Sequence, residues 1–267
     1  MVARAWASRV AVVLASAASF LASAASAETL RATYGVTLIG LPIGVANVTA
    51  NIGASKYSID ARARLSGLAS MVSNSRGAST GTGAIIGGHV APATFATTAS
   101  NSTMTRTIRM ALVGNAVKGV EISPPFEDKP DRVPLGAGDK QGIVDPVGAF
   151  VLPAPAGGDP IAPAACDRTL PIFDGYTRFN IALAYVGKRE VKAKGYSGPV
   201  AVCSVRYIPI SGHRPDRPAT KFMTENKDME VWLAPVGGAG VLMPFRVSVR
   251  TMIGTAVVEA TEFSVAK

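Results

Sequence analysis

Tyr57-Ser58-Ile59-Asp60-Ala61-Arg62-Ala63-Arg64-Leu65 alternates apolar and polar residues without a break. Successive side chains of an extended chain point to opposite faces. Tyr57, Ile59, Ala61, Ala63 and Leu65 therefore share one side, and Ser58, Asp60, Arg62 and Arg64 the other. This is a strand with one face packed and one face in water.

The period of two continues outward in both directions. Upstream, Thr29–Leu38 and Ile43–Ile52 are rich in Val, Thr and Ile, and Gly40-Leu41-Pro42 between them marks a tight turn or a bulge. Downstream, Ser66–Gly88 is small and glycine-rich and reads as a loop with one weak strand. Pro92–Ser102 and Met104–Val113 form a hairpin about Asn101-Ser102-Thr103, and Ala116–Ile122 follows the Gly114-Asn115 turn. Ser123-Pro124-Pro125 stops this ladder, because neither proline can donate an N–H.

Glu127–Gln141 is a charged loop, and a short helix is expected after it. Asp145 caps its free amides, Pro146 takes the first helical position, Val147–Leu152 continues it for about two turns, and Pro153 and Pro155 end it. Pro153–Ala165 reads as a linker. Strands resume at Tyr176–Val186, with Phe179, Ile181, Leu183 and Tyr185 on one face. Lys188–Lys194, Val200–Ile208, Met229–Ala234, Phe245–Met252 and Ala256–Val265 complete the set, the last two joined as a hairpin at Ile253-Gly254. Many strands, one short helix and no βαβ spacing define an all-β, mainly antiparallel protein. So wide a sheet must curl or close, so the expected architecture is a single strongly curved sheet, barrel-like or spiral, around an apolar interior.

Residues 1–27 read as a cleaved signal peptide and 28–267 as one β-rich domain. Arg4 and Arg9 precede or open Val10–Leu21, an apolar run too short to span a bilayer, and Ala25-Ser26-Ala27 supplies the small residues of a cleavage site. A periplasmic location follows, with no transmembrane span after processing. Loss of the two arginines lowers the formal charge from +9 to +7. The basic residues are scattered apart from a loose cluster of His213, Arg214, Arg217 and Lys221, which suits contact with an anionic envelope component: lipid, lipopolysaccharide or cell-wall polymer. No basic helix, aromatic RNA-stacking motif or zinc-finger spacing points to nucleic acid. Cys166 and Cys203 are expected to pair in an oxidising compartment; closing their loop of about 38 residues stabilises the fold by roughly 4 kcal/mol on the chain-entropy argument.

Catalytic, cofactor and metal residues are not assigned. Gly77-Ala78-Ser79-Thr80-Gly81 matches a hydrolase elbow but lacks the preceding apolar strand and the following helix, and His213 is the one histidine downstream of it. Gly81, Gly83 and Gly87 imitate a dinucleotide loop without its acidic ribose ligand. His89 and His213 show no ligand spacing with the cysteines.

Several segments occur together in a defined order: Tyr34, Val36 and Leu38 leading into Gly40–Gly44, then Asp145–Ala149, Cys166, Phe173-Asp174-Gly175 and Arg178-Phe179. In this the chain resembles the bacterial exported proteins grouped as domain of unknown function 3108, over most of Leu30–Ser264. The resemblance implies a periplasmic, β-rich protein of Gram-negative bacteria and carries no catalytic residues. The design is similar, more distantly, to a periplasmic β-spiral family that supports envelope integrity. The expected function is a non-enzymatic periplasmic protein that binds an envelope component and supports envelope integrity. The alternative is a carrier holding a lipid or other apolar ligand within the curved sheet, and a hydrolase is the third reading. Amino-terminal sequencing of the exported protein is expected to begin at Glu28; a first residue upstream of the Ala25-Ser26-Ala27 triplet would refute the cleavage site.

Overall fold

The computed structural model describes residues 27–67, 69–70 and 73–266, so the expected leader lies outside the described residues but for Ala27. A first antiparallel meander runs through β1 (Glu28–Leu38), β2 (Leu41–Ile52), β3 (Lys56–Leu65), β4 (Arg76–Ile86), β5 (His89–Ser100), β6 (Thr105–Val113) and β7 (Ala116–Ser123). After a long crossing segment and the two-residue β8 (Leu152–Pro153), a second meander follows. It comprises β9 (Arg168–Phe173), β10 (Arg178–Ala193), β11 (Tyr196–Ser211), β12 (Met229–Pro235), β13 (Val241–Thr251) and β14 (Gly254–Ala266). β14 pairs antiparallel with β1, which fuses both meanders into one 14-stranded sheet with β7 and β9 at its ends. Tight turns make the meander possible. At the β1–β2 turn Ile39 and Gly40 have φ of 54° and 76°, and at β6–β7 Gly114 and Asn115 have 57° and 59°. Two consecutive left-handed residues match the twist of the flanking strands.

The sheet curls without closing, since no ladder joins β7 to β9 among the described residues. Its concave face carries the alternating apolar residues: Leu30, Ala32 and Tyr34 of β1, Ile52 of β2, Tyr57 and Ile59 of β3, Phe95 of β5 and Met110 of β6 are buried there. Phe245 and Phe263 meet with ring centroids 5.8 Å apart. A strap, residues 143–151, enters this hollow from one end and fills it with Ile143, Val144, Val147 and Val151. The strap is tied to both edges of the sheet. The Ile143 amide donates to Asn115 O at 2.9 Å beside β7, and the Val144 amide to Pro171 O at 2.8 Å on β9.

A second buried cluster lies across β10–β13. Leu183, Ala201, Cys203, Val231, Leu233 and Leu242 pack there with Leu152, Ile161 and Ala165 from the segment that follows the strap. Neighbouring residues of β11 point to opposite faces, and both faces are covered: Val200 and Val202 are as buried as Ala201 and Cys203. Cys166 and Cys203 lie at disulfide distance, with Cα atoms 5.4 Å apart, and pin the segment to β11.

Four local expectations are corrected. Asp145–Leu152 does not form two helical turns; a 3-10 turn covers Gly148–Phe150, because the flanking Val144 and Leu152 are held in β bridges. An α-helix, α1 (Pro218–Glu225), which was not expected, forms at the loose basic cluster, with Pro218 in its first turn. β4 is a full strand, paired on both sides, and not a weak one within a loop. Tyr176–Val186 and Lys188–Lys194 merge into the single β10, which absorbs the break as a register shift between Tyr185 and Gly187.

Replacing Cys166 and Cys203 with serine is expected to lower stability in urea by about 4 kcal/mol, without changing the far-ultraviolet spectrum. Equal midpoints for both proteins would contradict a tie at this position.

Candidate functional site

The strap fills one end of the hollow and leaves the other open. Across the open end, between Tyr34 at one side and Arg106 at the other, the residues opposite one another are small. Tyr34, Ala46, Ala63, Gly77, Ala99 and Arg106 pair in sequence from β1 to β6, forming one cross-strand row. With little side chain above the sheet, an apolar cleft remains. Its inner lobe, about 250 Å³, lies between Tyr34, Val48, Ala61, Ser79, Phe150 and Met243. Its outer lobe, about 530 Å³, lies between Val36, Gly44, Leu65, Ala99, Ile108 and Phe126. The lobes share Ala63 and Gly77. Five inter-strand spacings separate Tyr34 from Arg106, a groove of roughly 24 Å along the curve.

The strap beneath the cleft carries a buried carboxyl. Asp145 Oδ1 accepts the amides of Val147 and Gly148, each at 2.9 Å, as the capping role predicts. Its Oδ2 has no hydrogen-bond partner among the described residues, and neither has the hydroxyl of Tyr57. Both atoms lie within 2.7 Å of the point where a Cβ on residue 148 would sit, so Gly148 is required there. Burial pushes the Asp145 carboxyl up from 3.8 to about 6, against the opposing pull of the two amides. Burial, reinforced by Asp145, also raises Tyr57 above its ordinary range.

A ladder of stacked side chains forms the far wall of the outer lobe. The Arg106 guanidinium lies 4.0 Å from the Phe126 ring, Phe126 lies 4.1 Å from Tyr176, and Arg132 covers Tyr176 at 3.5 Å. Arg106 Nε also donates to Pro124 O at 3.0 Å, which holds the loop after β7 across the mouth. Behind this wall is a second pocket of about 510 Å³, lined by Arg106, Phe126, Lys129, Tyr207, His213, Arg214 and Arg217 among others. Three of the four residues of the expected basic cluster, His213, Arg214 and Arg217, therefore converge. Lys221 lies outside the lining and pairs with Asp216 at 3.0 Å. Arg214 reaches Asp131 at 2.7 Å and Lys129 reaches Glu127 at 2.6 Å, which hold both carboxyls below their usual range.

Arg106, Phe126 and Lys129 were not singled out from sequence, since they stand some eighty residues or more before the cluster they join. The one signal was Ser123-Pro124-Pro125, which ends β7 and turns the chain toward this pocket. Ser79 lies in the middle of the extended β4, its hydroxyl 2.8 Å from Thr97 Oγ1, with no strand-to-helix elbow around it. Gly81 and Gly83 stand on the same strand against Val147 and Tyr57. No group of three or more His, Cys, Asp or Glu gathers to hold a metal among the described residues. Nor is any described helix long and apolar enough to cross a membrane.

The fold and cleft define a curled, barrel-like antiparallel β protein. Residues 29–261 match the family described as protein of unknown function (DUF3108), and the chain belongs to that family. Among solved structures it is similar to a beta-barrel-like protein of domain of unknown function DUF1849 from Brucella abortus. The TM-score is 0.50 at 12% identity, covering 90% of this chain and 98% of that one. At that identity the likeness speaks for the fold. None of the curated proteins compared with this chain matches it.

The raised Asp145 has a signed consequence. Between about pH 4 and 6 the folded protein holds a proton that the unfolded chain releases, so this contribution to stability is present below pH 4 and lost as pH rises through about 6. Its size is on the order of 3 kcal/mol. Asp174 is raised in the same direction by burial, so the measurement compares variants. The stability advantage of Asp145→Asn over the native protein, from urea melts, is expected to be larger at pH 7.5 than at pH 4; a pH-independent difference would contradict the buried, uncompensated carboxyl.

Proposed function

We propose that this is an exported, non-enzymatic protein of the periplasm that binds an envelope component, and that it does so by holding an apolar chain within the curved sheet. The carrier reading is preferred because of one observation: the continuous cleft over Gly44, Ala46, Ala63, Gly77 and Ala99, which the strap leaves open. Its two lobes together fall within the range of roughly 300–1,000 Å³ typical of small-molecule sites. A dry face packed to the end would need large side chains in that cross-strand row. The tripartite leader and the cysteine pair at disulfide distance support export. The flat strand setting of Ser79 supports a binding role over hydrolysis.

Native mass spectrometry of protein purified from the periplasm tests the reading. A stoichiometric lipid-sized adduct is expected, and Ala63→Phe, which fills the junction of the two lobes, is expected to abolish it. A clean unliganded mass for the native protein, together with no uptake of added single-chain lipid, would overturn it. Cells lacking the protein are expected to become sensitive to detergents or cell-wall antibiotics.

A further inference from the structure

The apolar cleft and the basic pocket meet at the same two residues, Arg106 and Phe126, which line both. The cross-strand row of small residues ends at Arg106. Along that groove, therefore, an apolar track, flanked in its outer lobe by Arg64 and Arg76, runs into a group of cations. Within the basic pocket the cations outnumber the acids: Arg106, Lys129, Arg214 and Arg217 face a single lining carboxylate, Glu127, among the described residues. Glu127 is occupied by Lys129, and Arg214 is met from outside the lining by Asp131. Arg217 is exposed and makes no ion pair among the described residues, while Arg106 is bonded to neutral carbonyls and an aromatic face. Two guanidinium groups are thus left without a carboxylate in a concave site, a setting that focuses positive potential. Guanidinium forks match phosphate geometry, and the Tyr207 and Thr220 hydroxyls in the same lining are neutral donors.

We propose that cleft and pocket form one site for an anionic amphiphile, its acyl chain along the Tyr34-to-Arg106 row and its phosphate-bearing head beyond Phe126, between Arg106 and Arg217. This rests on the reading of the cleft as a binding site and adds the chemical class of the ligand. Phe126, stacked between Arg106 and Tyr176, is the partition between the two halves.

The test titrates the mature protein by calorimetry, below each micellar concentration, with lysophosphatidylglycerol, with a monoacylglycerol of the same chain, and with inorganic phosphate. Lysophosphatidylglycerol is expected to bind about tenfold or more tighter than the neutral lipid, since charge-assisted hydrogen bonds add to chain burial. Arg217→Glu is expected to remove most of that preference while leaving monoacylglycerol affinity unchanged. Thr220→Glu, on the same wall, is expected to act likewise and stands in if the first variant folds poorly. Equal affinities for both lipids, insensitive to these substitutions, would overturn the head-group assignment and leave the chain-binding reading intact. Failure of both lipids to bind overturns both readings. Phosphate binding that depends on Arg217 while neither lipid binds would make the pocket a free-anion site and likewise overturn the amphiphile.

Discussion

One face of a very wide antiparallel sheet has to be kept from water, and everything else in this structure answers to that requirement. Fourteen strands with alternating apolar residues cannot lie flat without exposing a large apolar surface and two long edges. Right-handed twist and bulges such as those in β14 and β5 bend the sheet on itself. The strap then supplies what the bent sheet cannot. It brings Ile143, Val144, Val147 and Val151 into the hollow and hydrogen-bonds toward both free edges, at Asn115 and at Pro171. The cost is a carboxyl, Asp145, placed where water does not reach, because its Oδ1 is needed to hold the turn that aims the strap inward.

The cleft exists where the strap stops. Beyond Phe150 the middle of the cross-strand row is glycine and alanine, with larger side chains such as Val36, Leu65 and Phe126 only at its margins, so the hollow is not filled by the protein's own side chains. Its far wall is held from outside the sheet, by the Arg106–Phe126–Tyr176–Arg132 stack. Apolar floor and charged rim thus come from different parts of the chain. The floor is written in the strand interiors; the rim is assembled from the loop after β7 and the approach to α1.

These two origins explain what was legible in the sequence. The alternation in Tyr57–Leu65 and the Gly114-Asn115 turn are local signals, and each became the element it announced. β4 was harder to see, because glycine and serine have poor strand propensity; its register is imposed by β3 on one side and β5 on the other. The Asp145 cap was readable, but the helix behind it was not formed, since pairing of Val144 with Ile172 and Leu152 with Leu242 competes for the same backbone. The basic cluster was visible only in its contiguous half. Arg106 and Lys129 joined it through the curl of the sheet, which no local pattern encodes, and Lys221 left it for the nearby Asp216.

The seam between β1 and β14 has a further consequence for how the molecule comes into being. Thr29 pairs with Ala266, so the first strand made waits for the last before the middle of the sheet can form. Until then Leu30, Ala32 and Tyr34 have no partner on that side, and a nearly complete chain carries an open, sticky border. Closure of that seam is thereby deferred until the last strand has been made. Trimming the carboxyl-terminal strand would split the sheet at its centre instead of shortening it at a margin.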